Sequence, residues 1–208
     1  ALSSAASDVY KRQLIHMSSG CVFDGLNDGN PWTEDDTPNF EGSSYSKHKA
    51  IGETNVLSHE RTYVLRIRMP FNHIRENKNL LYKLETYPKI VIGENSVTDV
   101  DQLILSVVQI CRHSLSDDEK QYGIYHCVNP EPICNTKIHR LMTYKMAIAE
   151  KEILTRDQLN RLTIAPRSIT QLSVNKTEEM FNKICGELPF KNTENTIENR
   201  IDMYSVEK

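Results

Sequence analysis

The sequence lacks the patterns that mark membrane proteins, disulfide-rich proteins and zinc proteins. No apolar run approaches the ~20 residues that a membrane-spanning helix needs. No C-x-x-C pair occurs, and the five cysteines are scattered along the chain at Cys21, Cys111, Cys127, Cys134 and Cys185. Such a set indicates neither a disulfide framework nor a zinc site, so we expect no metal and a reducing, cytoplasmic location.

An excess of charge of one sign is also missing. The 208 residues contain 25 Lys and Arg against 28 Asp and Glu, which gives a net charge of -3. A protein that binds nucleic acid, or the membrane surface through basic residues, would show a positive excess, and we expect neither kind of partner. Hydrophobic residues make up 38% of the chain, enough for one sizeable core or for one core with a small second lobe.

A glycine-rich phosphate-binding turn between a strand and a helix is absent as well. Gly20, Gly25 and Gly29 lie together in a loop region and not at the start of a helix. Residues 1–13 show neither an initiator Met nor the pattern of a secretory signal. We therefore expect residues 1–13 to be a non-native leader and the chain to be the C-terminal piece of a longer protein, inactive by itself.

What is present is an alternation of strand and helix patterns. Strands are predicted at residues 14–17, 63–68, 90–92 and 124–128. Helices are predicted at residues 45–58, 100–111, 136–150, 176–184 and 193–204. This order predicts an α/β fold with a mostly parallel sheet. Residues 24–44, rich in Gly, Pro, Asn and Asp, are predicted to form a long loop before the first helix.

Tyr45 and Lys49 stand four residues apart in the first predicted helix, so their side chains lie on one face, about a turn from each other. The nearby ammonium stabilises a phenolate, and such a pair can hand a proton to a developing alkoxide. Many helices carry this spacing by chance, so the pair alone does not decide the function. We expect Ala50, Thr54 and Leu57 to share one face of the same helix.

Several motifs follow one another in a recognisable order. They are Ser18-Ser19-Gly20-Cys21-Val22-Phe23-Asp24-Gly25, Glu34-Asp35-Asp36-Thr37-Pro38-Asn39-Phe40, Tyr45 to Lys49, Leu65-Arg66-Ile67-Arg68-Met69-Pro70, Asn95-Ser96-Val97-Thr98, Asn129-Pro130 and Ile164-Ala165-Pro166-Arg167-Ser168. Through these motifs the chain resembles the extended short-chain dehydrogenase/reductases. Within them it is most similar to the UDP-4-keto-rhamnose 3,5-epimerase/4-reductases and the dTDP-4-dehydrorhamnose reductases.

The resemblance implies the C-terminal portion of a Rossmann-type sheet with a small α/β substrate-binding lobe. Residues 14–128 would be the second half of the cofactor domain, with residues 70–95 partly in the substrate lobe. Residues 129–208 would form the substrate-binding lobe itself. The glycine-rich cofactor turn of the family is then expected in a segment that precedes this chain.

The resemblance also implies roles at a site of reduction. Tyr45 is the expected proton donor to the sugar C4 oxygen, Lys49 would hold the nicotinamide ribose, and Ser19 would donate a hydrogen bond to the C4 carbonyl. Three residues after the second strand would lie beside the nicotinamide: Met69, Pro70 and Phe71. The structural alternatives are a hydroxyl bonded to the backbone for Ser19, and strand termination and packing for the other three.

Cys21 is the candidate for epimerisation at C3 and C5, which flank the C4 ketone, so that removal of a proton gives an enolate. The step needs a base on one face and an acid on the other, and a thiol suits either role. Cys21 comes two residues after Ser19, which would place both on the same side of an extended strand. The resemblance implies Lys83 as its partner and Arg167 as a ligand of the sugar diphosphate. The alternatives are a buried small hydrophobe, a solvated lysine and a surface arginine.

Together these residues imply that the intact protein epimerises a UDP- or dTDP-linked 4-keto-6-deoxyglucose and reduces it with NADPH, NAD being the alternative cofactor. The nucleotide-sugar is the expected partner, and a homodimer is a candidate assembly. A rival interpretation is a catalytically silent regulatory or binding subunit of the same fold, like the methionine adenosyltransferase beta subunit, which also keeps Tyr-x-x-x-Lys. Cys21 and the Arg68-Met69-Pro70 segment favour the enzyme.

Overall fold

The computed structural model describes residues 13–115 and 121–206, and the expected leader lies outside these ranges except for Gln13. Within them the strands are β1 (Leu14–Ser19), β2 (Thr62–Ile67), β3 (Pro70–Phe71), β4 (Lys89–Val91), β5 (Glu94–Asn95), β6 (Thr98–Asp99), β7 (Gly123–His126), β8 (Ile133–Cys134) and β9 (Glu152–Leu154). The helices are α1 (Ser44–Leu57), α2 (Leu80–Thr86), α3 (Val100–Ser114), α4 (Asn135–Met146), α5 (Arg156–Leu162), α6 (Asn175–Cys185) and α7 (Thr193–Val206). A 3-10 helix, Gly20–Val22, follows β1 directly.

The central sheet has three parallel strands in the order β1-β2-β7. β1 runs beside β2 with Leu14 opposite Thr62, and β7 pairs with the other edge of β2, with Tyr63 opposite Gly123. Every residue of β2 except Ile67 is buried, as expected for a parallel strand whose two faces are both covered. The predicted α/β fold with mostly parallel strands is confirmed.

Three two-stranded pairs complete the sheet structure. β3 pairs with β6 and β4 pairs with β9, both in parallel, while β5 and β8 are antiparallel. The predicted long loop at residues 24–44 is fastened by bridges from Gly25 to Thr170 and from Trp32 to Leu172. The Trp32 ring stacks on Phe23 with 4.9 Å between ring centres. The loop is therefore held against residues 170–172 on the late part of the chain.

Helix starts follow the capping signals of the sequence. Asp99 accepts a hydrogen bond from the Gln102 N–H and begins α3. Thr155 and Gln158 form the reciprocal capping box that begins α5. The helix predicted at residues 136–150 is shorter than expected, because Ala147 adopts a left-handed conformation with φ 52° and ends α4.

Two larger apolar cores lie in different parts of the described chain. One covers the central sheet and includes Tyr63, Leu65, Leu103, Ile110, Tyr125, Cys127, Met180, Phe181 and Phe190. The other includes Phe71, Leu80, Leu81, Leu84, Ile90, Val97, Ile133, Ile138, Met142, Ile197, Ile201 and Tyr204. Helix α6 thus packs on the central sheet, whereas α4 and α7 pack with α2 in the second core.

Helix α1 buries a polar face. Thr54 and Leu57 are exposed, and only Ala50 of the expected face is partly buried; the fully buried residues are Ser46 and Glu53. The reason is that α1 covers a charged group on the sheet, which an apolar face could not neutralise. Ala50, Thr54 and Leu57 share one face of α1, as their spacing predicts, but the residues that pack inward lie on another face.

The charged group is Arg66 on β2, which Glu53 neutralises. Arg66 Nε donates to Glu53 Oε1 at 3.0 Å, and Nη2 donates to Oε2 at 2.7 Å. Ser18 donates a further hydrogen bond to Glu53, and Arg66 Nη1 donates to His126 Nε2 at 3.3 Å. Four buried residues from β1, α1, β2 and β7 thus form one hydrogen-bonded network.

Removing one member of this ion pair should destabilise the fold strongly. We expect Glu53→Ala to lower the free energy of unfolding by about 3–5 kcal/mol, because the Arg66 guanidinium would remain buried without its counter-charge. Urea unfolding followed by circular dichroism measures the change. The exposed Glu60 is the matched control, and Glu60→Ala should stay within about 0.5 kcal/mol of the wild type. A loss below about 1 kcal/mol for Glu53→Ala would contradict this role.

Candidate active site

Tyr45 and Lys49 lie one turn apart on α1, as their spacing predicts. α1 begins after Ser43, whose hydroxyl accepts a hydrogen bond from the Ser46 N–H and fixes the first turn. Lys49 Nζ lies 5.9 Å from the centre of the Tyr45 ring and donates a hydrogen bond of 2.9 Å to the Met17 carbonyl on β1. Tyr45 is 55% exposed, so a ligand can reach its phenol.

β1 ends at Ser19 in a sharp turn. The Ser19 hydroxyl accepts a hydrogen bond of 3.2 Å from the Cys21 N–H and thereby begins the 3-10 helix. Cys21 does not continue an extended strand, so the expectation that it projects to the same side as Ser19 is wrong. A Cβ at position 20 would lie 2.5 Å from Leu172 Cδ1, so the Leu172 side chain would have to shift to admit one. The catalytic role of Ser19 stays a prediction beside this observed backbone role.

Arg68, which sequence reasoning did not single out, lies at the centre of the site. It is 4% exposed, and its Nη1 donates a hydrogen bond of 2.7 Å to Cys21 Sγ. Its Nη2 donates to Asn95 Oδ1 at 2.7 Å and to the Ser168 carbonyl. The available signal was a second arginine two positions after Arg66, at the end of an otherwise apolar strand.

The segment after β2 is strained and then buried. Met69 has a φ of 41°, a left-handed conformation that costs a non-glycine residue of order 1 kcal/mol or more. Pro70 and Phe71 form β3, and the Phe71 side chain is fully buried in the second core. Phe71 therefore has the packing role considered above. The expected position of these residues beside a nicotinamide stays a prediction.

Lys83 and Arg167 are brought close together. Asn79 caps α2, and this helix carries Lys83 into a half-buried position. Burial lowers the pKa of Lys83, and the positive charge of Arg167 lowers that pKa further. Lys83 is therefore not a fully solvated lysine, while Arg167 itself is exposed.

The turn at residues 167–168 links two groups of predicted site residues. The positive charge of Arg167 lowers the pKa of Lys83. The Ser168 carbonyl accepts a hydrogen bond from Arg68, and Arg68 also donates to the Cys21 sulfur. Tyr45 and Lys49 approach from α1, which packs on β1 and on the 3-10 helix. Segments that are far apart in sequence thus converge at the end of β1.

His126 is a buried residue of β7 that joins the polar network around Arg66. Burial, and next the positive charge of Arg66, lower the pKa of His126 to about 3. Its Nε2 accepts a hydrogen bond from Arg66, so its Nδ1 carries the proton and donates to the Ser173 carbonyl at 3.0 Å. The backbone N–H of His126 donates to the buried Glu34 carboxylate at 2.9 Å. Burial raises the pKa of Glu34.

Within residues 13–115 and 121–206, no group of three or more His, Cys, Asp or Glu side chains is arranged to hold a metal ion. No helix in residues 13–115 or 121–206 is long and apolar enough to cross a membrane. A cavity of about 190 Å³ lies between α4 and the strands β4 and β9. None of the predicted site residues lines it.

A parallel sheet with a Tyr-x-x-x-Lys helix at the end of its first strand is the arrangement of a Rossmann-like reductase. Residues 1–192 match the family model described as the RmlD substrate binding domain. The chain therefore belongs to the RmlD substrate-binding domain family.

Relatives of known name agree with this family. The chain is 31% identical, over 180 residues, to the bifunctional dTDP-4-dehydrorhamnose 3,5-epimerase/dTDP-4-dehydrorhamnose reductase of Arabidopsis thaliana. That match covers 82% of this chain but only 57% of the length of the relative. The chain thus spans little more than half of that enzyme.

Solved structures share the fold. The UDP-rhamnose synthase L780 of Acanthamoeba polyphaga mimivirus superposes with a TM-score of 0.81 at 25% identity, over 96% of this chain and 68% of that one. A dTDP-4-dehydrorhamnose reductase of Bacillus anthracis, solved in complex with NADP, superposes with a TM-score of 0.72 at 16% identity. This second match covers 96% of this chain and 67% of that one. The Rossmann-type architecture expected from the sequence is confirmed.

The buried, neutral His126 should make the fold sensitive to acid. Its pKa in the folded chain, about 3, lies below the ordinary value of 6.5. As the pH falls below about 6.5, the His126 imidazole is protonated in the unfolded chain but stays neutral in the folded chain. The free energy of unfolding therefore decreases as the pH falls, by up to about 1.4 kcal/mol per pH unit.

Urea unfolding at about pH 7 and about pH 5 measures this loss. In His126→Gln the amide still offers a hydrogen-bond donor and an acceptor, but it does not titrate. The free energy of unfolding of this variant should therefore fall less between the two pH values than that of the wild type. The exposed His48 supplies the control, because His48→Gln should keep the wild-type pH dependence. Equal pH dependence in wild type and His126→Gln would show that His126 does not cause the acid sensitivity.

Proposed function

We propose that the intact protein is an NADPH-dependent nucleotide-sugar 4-reductase with 3,5-epimerase activity, acting on a UDP- or dTDP-linked 4-keto-6-deoxyglucose. The observation that carries this proposal is the Tyr45–Lys49 pair on α1. Lys49 is bonded to Met17 on β1, and α1 packs on β1 and on the 3-10 helix that contains Cys21. The named activity of the Arabidopsis relative supports it. The free cysteines fit a cytoplasmic location.

The residues present fit one half of a cofactor site. Lys49 donates one hydrogen bond, to Met17, and an ammonium has three N–H donors, so it can also hold the hydroxyls of a nicotinamide ribose. The strained Met69 ends β2 at the same end of the sheet and would border the nicotinamide with Pro70. NADPH, when bound, supplies the hydride that reaches C4. The Bacillus anthracis reductase of this fold binds NADP.

In the reduction, Tyr45 is the proton donor. As negative charge develops on the C4 oxygen, the exposed phenol transfers its proton to that oxygen, and the Lys49 ammonium stabilises the phenolate that remains. Ser19 would donate its hydroxyl hydrogen to the same oxygen and hold the carbonyl in place. Its bond with the Cys21 N–H uses it as an acceptor, so its own donor remains available.

In the epimerisation, Cys21 and Lys83 are the proposed proton-transfer pair. The base breaks the C–H bond at C3 or C5, and the electron pair moves into the enolate of the C4 ketone. The acid then returns a proton to the same carbon from the opposite face. Because burial lowers the pKa of Lys83, its ammonium is a stronger acid and a better proton donor at neutral pH. Arg167 is the proposed ligand of the sugar diphosphate.

The proposed division of the chain follows from these roles. Residues 14–128 would belong to the cofactor domain, with residues 70–95 partly in the substrate lobe, and residues 129–208 would belong to the substrate lobe. The second core, which joins α2 with α4 and α7, supports the placement of residues 80–86 in that lobe. Residues 175–190 are the exception, because α6 packs on the central sheet, and we propose to assign them to the cofactor domain instead.

Tyr45→Phe in the full-length protein should lower the rate of C4 reduction by about 100- to 10,000-fold, because it removes the proton donor alone. NADPH oxidation with the 4-keto sugar measures the rate, and calorimetry should find substrate binding largely unchanged. Tyr144, which is 88% exposed on α4, is the control, and Tyr144→Phe should react normally. Undiminished turnover in Tyr45→Phe would refute the assignment. A wild type that captures a partner subunit but never oxidises NADPH would support the rival binding-subunit interpretation.

Cys21→Ala should lose epimerisation before reduction. Without the thiol, deuterium exchange from D₂O into C3 and C5 should fall by about 100-fold or more, as measured by proton NMR of the 4-keto sugar. Reduction of an already epimerised substrate should be much less affected, since Tyr45 and Lys49 remain. Cys185 is exposed, and Cys185→Ala serves as the control with normal exchange. Full exchange in Cys21→Ala would contradict its role.

A further inference from the structure

Arg68 is a buried cation that no carboxylate neutralises within residues 13–115 and 121–206. Its hydrogen bonds go to the Cys21 sulfur, the Asn95 amide oxygen and the Ser168 carbonyl. Its Nε is buried without a hydrogen-bond partner. Burying an unpaired charge costs several kcal/mol, which neutral acceptors offset only in part. A cost of this kind, next to a candidate active site, indicates a functional charge.

Arg66, two residues earlier on β2, is a buried arginine that a carboxylate does neutralise. Arg66 is 1% exposed, about as buried as Arg68, but Glu53 binds it through two hydrogen bonds. A carboxylate beside Arg68 would have neutralised the positive charge of its guanidinium in the same way. The two arginines therefore differ in charge compensation and not in depth. Arg68 keeps a net positive charge directed at the Cys21 sulfur.

We propose that Arg68 is a positioning residue that holds the Cys21 thiol for proton transfer and ties it to the turn that carries Arg167. This inference rests on the proposed function, because it concerns the proton transfer at C3 and C5. Arg68 acts through Cys21 and not on the sugar itself.

The chemistry of the sulfur explains why a guanidinium is suited to this position. A sulfur that removes a proton from carbon carries negative charge before the transfer and none after it. An N–H donor 2.7 Å away orients the sulfur, and its positive charge stabilises the thiolate. The planar guanidinium holds the sulfur on one nitrogen while the other nitrogen contacts Asn95 and Ser168, so the sulfur and the 167–168 turn keep a fixed relation.

The test compares Arg68→Met and Arg68→Lys with the exposed Arg112→Met in the full-length protein. Deuterium exchange at C3 and C5 of UDP-4-keto-6-deoxyglucose reports on epimerisation, and NADPH oxidation with UDP-4-keto-rhamnose reports on reduction alone. Arg68→Met should lower exchange by about 10- to 100-fold and reduction by less than about threefold. Arg68→Lys keeps the positive charge but loses the planar guanidinium that binds several acceptors at once, so it should show an intermediate exchange rate. Arg112→Met should match the wild type.

A second measurement does not depend on the proposed function. Iodoacetamide alkylation of the 208-residue chain, followed by mass spectrometry, gives the rate at Cys21 and, in the same sample, at the exposed Cys185. Arg68→Met should slow alkylation of Cys21 by about tenfold at about pH 7 and leave Cys185 unchanged.

The outcomes separate the inference from the function. Normal exchange and normal Cys21 alkylation in Arg68→Met would overturn the inference, while loss of exchange in Cys21→Ala would leave the proposed function standing. Equal loss of exchange and reduction in both Arg68 variants would make Arg68 a folding residue and also overturn the inference. A wild type with neither exchange nor reduction would refute the proposed function, and the alkylation rates would still decide whether Arg68 controls the thiol.

Discussion

The buried ion pair between Glu53 and Arg66 fixes the helix that carries the proposed proton donor. Helix α1 has little apolar surface facing inward, since its fully buried residues are Ser46 and Glu53. Its attachment to the sheet therefore depends on the carboxylate that neutralises Arg66 on β2 and accepts from Ser18 on β1. Tyr45 lies two turns before Glu53 on this helix, so the position of the phenol follows from the ion pair.

The same hydrogen-bonded network extends from β2 to β7 and to the long loop between β1 and α1. Arg66 donates to His126 on β7, and the backbone of His126 donates to Glu34 in the long loop. The loop that separates β1 from α1 is thus anchored at its middle by a buried carboxylate, and Trp32 stacks on Phe23 beside it. A long connection that would otherwise sample many conformations is held in one, and it delivers the chain to Ser43 and the start of α1.

The chain passes from one apolar core to the other at Arg68. β2 belongs to the sheet core, and the chain leaves it through the strained Met69 to place Phe71 in the second core. Arg68 occupies the junction and reaches Cys21 from one side and the 167–168 turn from the other. Such a junction can bring groups from both cores to one ligand, which is common for sites between lobes.

Local signals in the sequence were sufficient for many features. Apolar spacing predicted five helices to within one residue of their observed starts, because helical periodicity is a local property. The Tyr45–Lys49 proximity followed from helical geometry alone. Where strand geometry was assumed to continue, it failed, because Cys21 leaves the strand in a 3-10 helix that begins when Ser19 accepts a hydrogen bond from the Cys21 N–H. The buried face of α1 depends on a distant residue, since Glu53 packs inward to neutralise Arg66 on β2.

The sequence by itself determined the parallel α/β class, the order of the elements and the family motifs, because these depend on periodicity and on short runs of residues. Only the tertiary structure decided how Arg66 and Arg68 differ in charge compensation. Arg66 lies on β2 and Arg68 directly follows its last residue, and their two-residue separation in the sequence does not predict which of them is neutralised. Their partners, Glu53 for one and Cys21, Asn95 and Ser168 for the other, come from remote segments, and the electrostatic role of a buried charge depends on those partners.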